Sequence, residues 1–157
     1  MTDFKVGLGF DVHRFSKKNT PLILGGKKIK NTRGLEAISD GDVVLHAIAD
    51  AICGACSLGD IGDYFPPSKK FIGLDSKKIV EFILKKINKK FKIINIDVII
   101  IADKPKLAPF KEKILDSLKK IFKVNQINIK IKSKENLNIL GSKNSISCLA
   151  NCLVKVC

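Results

Sequence analysis

Histidine and arginine are nearly absent from this 157-residue chain, which carries only His13, His46, Arg14 and Arg33. So little arginine weighs against a nucleic-acid reader, since such proteins use the guanidinium fork to address phosphates and base edges. The formal charge of +14 comes from lysine, abundant beside isoleucine and asparagine as in an AT-rich coding sequence. Much of it falls in segments of helical spacing (Lys77, Lys78, Lys85, Lys86, Lys89, Lys90, Lys119, Lys120), where it reads as solvated helix faces. No apolar run approaches the length of a membrane span, and Met1 to Lys5 lack the basic segment and apolar core of a secretory signal. An intracellular protein with neither nucleic acid nor membrane as partner is expected. The odd count of five cysteines fits no disulfide framework, and the C-x-x-C of Cys53 and Cys56 falls in an apolar, alanine-rich stretch that favours small core residues over a second zinc site or redox pair.

The length suits one domain with a real core, residues 1–157. Alternation from Lys5 to Phe15 predicts a strand, and Gly25-Gly26 joins Leu22–Leu24 to Lys27–Ile29 as a hairpin. Ser39-Asp40-Gly41-Asp42 offers N-caps for a helix from about Asp42 to Ser57, with Val43, Ala47, Ile48, Ala51, Ile52 and Ala55 on its buried side. Leu58 to Pro67 reads as a loop without regular structure. Helices follow over Ser76–Lys90 and Pro109–Phe122, and strands over Ile93–Ala102, from Ile127 to Ile131 and near the C-terminus. The expected fold is α+β, a mixed sheet with helices packed on one face.

Both histidines sit in segments rich in metal-ligand chemistry. Asp11 and His13 are one residue apart, so on an extended strand both side chains leave the same face. His46 supplies a third ligand from another element. Two imidazoles and a carboxylate suit zinc and leave a fourth tetrahedral position for a substrate oxygen, the mark of a catalytic site. A zinc hydrolase built on these residues would need a base to activate water, and with no third histidine a carboxylate would have to serve. Asp50, four residues after His46, is either an acceptor that orients the ring or an ordinary exposed helix carboxylate.

Three long segments, Gly9-Phe10-Asp11-Val12-His13-Arg14-Phe15, Gly34 to Ala47 around Ser39-Asp40-Gly41-Asp42-Val43-Val44-Leu45-His46, and Leu58-Gly59-Asp60-Ile61-Gly62, closely resemble the 2-C-methyl-D-erythritol 2,4-cyclodiphosphate synthase family. The resemblance runs nearly the full chain in order. It implies a metal-dependent enzyme of the non-mevalonate isoprenoid pathway that cyclises a cytidine-diphosphate methylerythritol 2-phosphate and releases CMP. It also implies a homotrimer with active sites between subunits, in the bacterial cytoplasm or in the plastid of a plastid-bearing eukaryote.

On the same footing Asp11, His13 and His46 correspond to zinc ligands, and Glu135 to the ligand of a second divalent cation, magnesium or manganese. Ser39, Asp60, Ile61 and Gly62 correspond to the grip on the methylerythritol phosphate, and Ser133 and Lys132 to phosphate contacts, with Lys132 replacing a small hydroxyl residue of the family. Ala102-Asp103-Lys104-Pro105-Lys106-Leu107 corresponds to the cytidine pocket. Departures from the family pattern are the basic stretch Pro67-Ser68-Lys69-Lys70 in the lid and Ile38 where some members have histidine. In Ile139-Leu140-Gly141-Ser142-Lys143 the aromatic and arginine of many members are missing.

Overall fold

The computed structural model of the chain describes residues 3–138 and 140–157, except for the side chain of Asn31. Among them run β1 (Phe4–Arg14), β2 (Pro21–Leu24), β3 (Lys27–Arg33), α1 (Val43–Ala55), α2 (Ser76–Ile87), β4 (Phe91–Ile101), α3 (Lys111–Phe122), β5 (Ile127–Lys132) and β6 (Ser145–Val156). Four strands form one mixed sheet in the order β1-β6-β4-β5, with β4 and β5 parallel and the other neighbours antiparallel. β2 and β3 make a separate hairpin.

The elements follow the sequence pattern, with shifts confined to their ends. α1 stops at Ala55 rather than Ser57, and Asn88–Lys90 and Ala108–Phe110 are 3-10 turns flanking α2 and α3. The loop expected to lack regular structure contains a 3-10 turn at Ile61–Asp63, closed by a reciprocal cap in which Asp60 and Asp63 each bond the other's backbone N–H.

The core lies between one sheet face and the helices. β6 contributes Ile146, Cys148, Ala150, Cys152 and Val154, β4 contributes Ile93, Ile96, Val98 and Ile100, and β5 contributes Ile127 and Ile129. Whereas α2 and α3 bury one stripe, α1 is buried almost all round, so Leu45, Ile48 and Ile52 each contribute about 2 kcal/mol by leaving water. Cys53 and Cys56 are free and buried in this core, as expected, and burial pushes their thiols up to about 12 and about 11.

The closeness of α1 to β1 explains a glycine pair. A side-chain carbon on Gly7 would lie 1.8 Å from the Ala51 carbonyl oxygen, and one on Gly9 would lie 1.9 Å from that of Ala47. With the inner face of β1 occupied by helix backbone, its large apolar side chains turn outward. Phe4, Val6, Leu8 and Phe10 are all exposed, with Leu8 at 67%.

Candidate active site

Asp11 and His13 leave the inner side of β1 just beyond Gly9, where α1 begins, and His46 reaches them from the first turn of α1. Asp42 sets that first turn. Its Oδ1 accepts the N–H groups of Val44 and Leu45 at 3.1 and 3.0 Å, capping the helix. The same carboxylate accepts the N–H of Gly25 at 2.9 Å and of Gly26 at 2.6 Å, so it also fastens the β2–β3 hairpin to the site. Burial pushes the Asp42 carboxyl up to about 6, against these N–H donors, which favour the anion.

The three expected metal ligands come together. Asp11 Oδ2 lies 2.9 Å from His46 Nδ1 and 3.2 Å from His13 Nε2, and one donor atom from each residue lies within 4.8 Å of the others. Burial by itself would raise the Asp11 carboxyl, but hydrogen bonds and charge from His13 and His46 hold it well below the usual range. Burial works in the opposite sense on His46, whose imidazole is nonetheless raised by its bond to Asp11 and by the charges of Asp11, Asp42 and Asp40. Two imidazole nitrogens and an ionised carboxylate converging on one point fit a divalent cation of zinc's preferences.

A cavity of about 210 Å³ opens on this cluster, lined by His13, Ser39, His46 and Ile61 together with Ile38 and Phe65. Ser39 Oγ is 3.3 Å from His46 Nε2. Asp60 is exposed at the mouth of the turn that carries Ile61 and Gly62, and Asp60 Oδ1 would meet a side-chain carbon on Gly62 at 2.9 Å. Beyond this turn, Phe65 packs edge-on against Phe71 and Phe82, and Gly73 N–H bonds the Ile38 carbonyl at 2.7 Å. The basic stretch through Lys69 and Lys70 is thereby tied at both ends to the wall of the cavity.

The remaining expected site residues form a second group, at the C-terminal ends of the parallel strands β4 and β5. Ala102 N–H bonds the Lys132 carbonyl at 2.9 Å, and Asp103 Oδ1 accepts the Lys134 N–H at 2.8 Å. Ala102 and Leu107 are buried anchors, while Asp103, Lys104, Pro105 and Lys106 line a cavity of about 830 Å³. Ser133 Oγ donates to Glu135 Oε1, and Glu135 adopts φ +50°, which turns the chain sharply there. Glu135 is not part of the Asp11, His13 and His46 cluster.

Asp50 fulfils neither expectation. It is half-buried, and its Oδ1 accepts the Ile61 N–H at 2.8 Å, so it anchors the start of the loop instead of the His46 ring. The ring is held by Ser76 Oγ, 2.8 Å from Nε2, and Ser76 Oγ donates in turn to Asp40. Spacing gives no hint of this contact, because thirty residues separate Ser76 from His46. Phe15, Arg33 and Asn144, which no sequence pattern marks for this role, also wall the larger cavity, which Lys143 joins. In the altered stretch from 139 to 143, Ile139 lies outside the described residues.

Residues 4–155 match the model of the YgbB family. A 2-C-methyl-D-erythritol 2,4-cyclodiphosphate synthase of Treponema denticola is 43% identical over 96% of this chain and 95% of its own length. The Clostridium botulinum protein of the same name is 46% identical, covering 96% and 98%. Among solved structures, the bifunctional IspDF of Campylobacter jejuni superposes with a TM-score of 0.91 at 36% identity, over 100% of this chain and 43% of that one. The Plasmodium falciparum IspF complex with CDP gives 0.84 at 31% identity, over 99% and 98%.

Proposed function

The chain belongs to the YgbB family, and from that membership we propose that it converts 4-diphosphocytidyl-2-C-methyl-D-erythritol 2-phosphate into 2-C-methyl-D-erythritol 2,4-cyclodiphosphate and CMP. The observation that carries the reading is the convergence of Asp11, His13 and His46 on one point beside a cavity, within a chain that follows named synthases over 96% of its length. In the reaction an oxygen of the substrate's own 2-phosphate forms a bond to the β-phosphorus. The bond from that phosphorus to the bridging oxygen breaks, and CMP departs with the electron pair. Attacker and leaving group belong to one molecule, so the protein supplies no nucleophile, and its task is alignment and charge.

Asp11 Oδ2, His13 Nε2 and His46 Nδ1 would hold zinc. Glu135, whose carboxylate takes the Ser133 hydroxyl, would hold a second divalent cation, magnesium or manganese. Bound there, such ions supply positive charge and Lewis acidity to phosphate oxygens. Ser39, on the wall beside His46, and Asp60 with Ile61 and Gly62 grip the methylerythritol phosphate part. Lys132 supplies a cation and Ser133 a hydroxyl for the diphosphate. The loop from Ala102 to Leu107 receives the cytosine, with buried Ala102 and Leu107 holding its exposed middle in place.

The two groups of residues are halves of a site completed between copies in a homotrimer. Support comes from the sheet face opposite the helices, which leaves Phe4, Val6, Leu8 and Phe10 exposed in a row on β1. Large side chains so displayed mark an association surface.

The direct test incubates the protein with the cytidine-diphosphate substrate, with and without a chelator, and resolves the products. CMP and the cyclic diphosphate are expected, with turnover lost on chelation and in His13→Ala and His46→Ala. Linear hydrolysis products, or full turnover in those variants, would overturn the assignment.

A further inference from the structure

On the reading that Asp11, His13 and His46 hold a divalent cation, we propose that Ser76 and Asp40 are positioning residues that keep the His46 proton on Nε2 and its Nδ1 aimed at the cation. Ser76 is the first residue of α2, fully buried, with Oγ 2.8 Å from His46 Nε2. Its hydroxyl has a second partner, Asp40 Oδ1, and its own N–H bonds Asp40 Oδ2 at 3.0 Å.

The direction of these bonds follows from what each group can do. A carboxylate only accepts, so the Ser76 hydroxyl must donate to Asp40. With its one proton committed there, Ser76 Oγ can only accept from His46, which requires a proton on Nε2. That leaves the Nδ1 lone pair for the side of the ring that faces Asp11 Oδ2 at 2.9 Å. Flipping the ring would turn a carbon toward Ser76 Oγ and leave this buried oxygen without a donor.

Asp40 is itself fixed. Its N–H bonds the Leu74 carbonyl at 3.0 Å, and Oδ1 also accepts the Asp42 N–H at 3.2 Å. His46 is therefore braced by the start of α2 and by Asp40, which is tied to the Leu74 carbonyl just before that helix. Ser39 Oγ, at 3.3 Å from the same nitrogen, is the longer contact and faces the cavity, where a ligand can claim it.

Zinc affinity, measured on the whole protein by competition with a chromogenic chelator, tests the idea apart from turnover. Ser76→Ala is expected to weaken zinc binding by about tenfold to a hundredfold, the usual effect of losing the partner of a metal-bound histidine. Ser76→Thr, which keeps a hydroxyl, restores most of it. Nitrogen-15 spectra of zinc-loaded wild-type protein, simple to assign with two histidines, are expected to show His46 protonated on Nε2 and ligating through Nδ1. A His46 proton on Nδ1 in wild type would overturn the inference even if Ser76→Ala failed to fold, as would wild-type zinc affinity in a folded Ser76→Ala. If wild type binds no zinc, or if His13→Ala leaves its zinc affinity unchanged, the metal reading itself fails and takes the inference with it.

Discussion

The Asp42 carboxylate accepts the Gly26 N–H at 2.6 Å while its other oxygen caps α1, so one buried side chain joins the hairpin to the helix that carries His46. Removing it orphans four backbone donors at once. Asp42→Ala is expected to lower stability by about 3 kcal/mol, more than a helix cap alone contributes. Urea denaturation of the metal-free protein reads this, and a loss below about 1 kcal/mol would show the hairpin bonds to be idle.

The pair of His46 with Asp11 makes the metal-free protein sensitive to pH. The folded His46 value is raised above its ordinary 6.5 by Asp11, so the pair stabilises fully below 6.5 and is lost as pH rises through the raised value. Asp11 is held below its ordinary 3.8, so its own contribution persists above that value and fades only in strong acid. With chelator present, the melting temperature is expected to fall as pH rises above 6.5 through the raised His46 value, and Asp11→Asn to flatten that slope. If the proposed site holds zinc, saturating zinc is expected to reverse the slope, because the ion would compete with the proton for Nδ1. A wild-type slope unchanged by Asp11→Asn would place the titration elsewhere.

Gly9 stands where strand and helix backbones nearly touch, two residues before Asp11. A methyl group there meets the Ala47 carbonyl at 1.9 Å, and neither backbone can yield without lifting α1 from the sheet. Gly9→Ala is expected to destabilise by about 3 kcal/mol or more and to weaken zinc binding. Gly54, inside the same helix but with its nearest neighbour at 3.8 Å, is the control. Gly54→Ala should be neutral or gain up to about 1 kcal/mol from helix propensity. Equal losses in both variants would contradict the close approach.

Much of this was legible in the chain because the signals are local. Period-two alternation puts Asp11 and His13 on one face of β1, and helical spacing marks the buried positions of α1. What stayed hidden depends on long-range packing. Asp50 has the right spacing to touch His46 on a helix, yet it takes the Ile61 N–H, because the loop after α1 folds back over it. Ser76 carries no motif and meets His46 across thirty residues, from the first turn of α2, where Asp40 accepts both its N–H and its hydroxyl. The outward turn of Val6 and Leu8 was equally hidden, since alternation alone does not say which face a helix covers.

Asp11, His13 and His46 converge on β1 and α1, whereas Glu135 and the Ala102–Leu107 loop gather at the ends of β4 and β5, and the proposal joins them across copies. Mixing inactive variants tests this. In a cyclic trimer with one site per interface, a mixed trimer of His46→Ala and Glu135→Ala copies has one interface built from two intact halves. Random mixing makes three quarters of trimers mixed, so co-folding equal amounts is expected to restore roughly a quarter of wild-type activity from two inactive parents. If each chain held a complete site, mixing would restore nothing, since every copy lacks one essential group. The recovery should vanish when both parents also carry Leu8→Lys. A charge on that exposed position of β1 opposes burial of the face, and copies that stay apart cannot share a site.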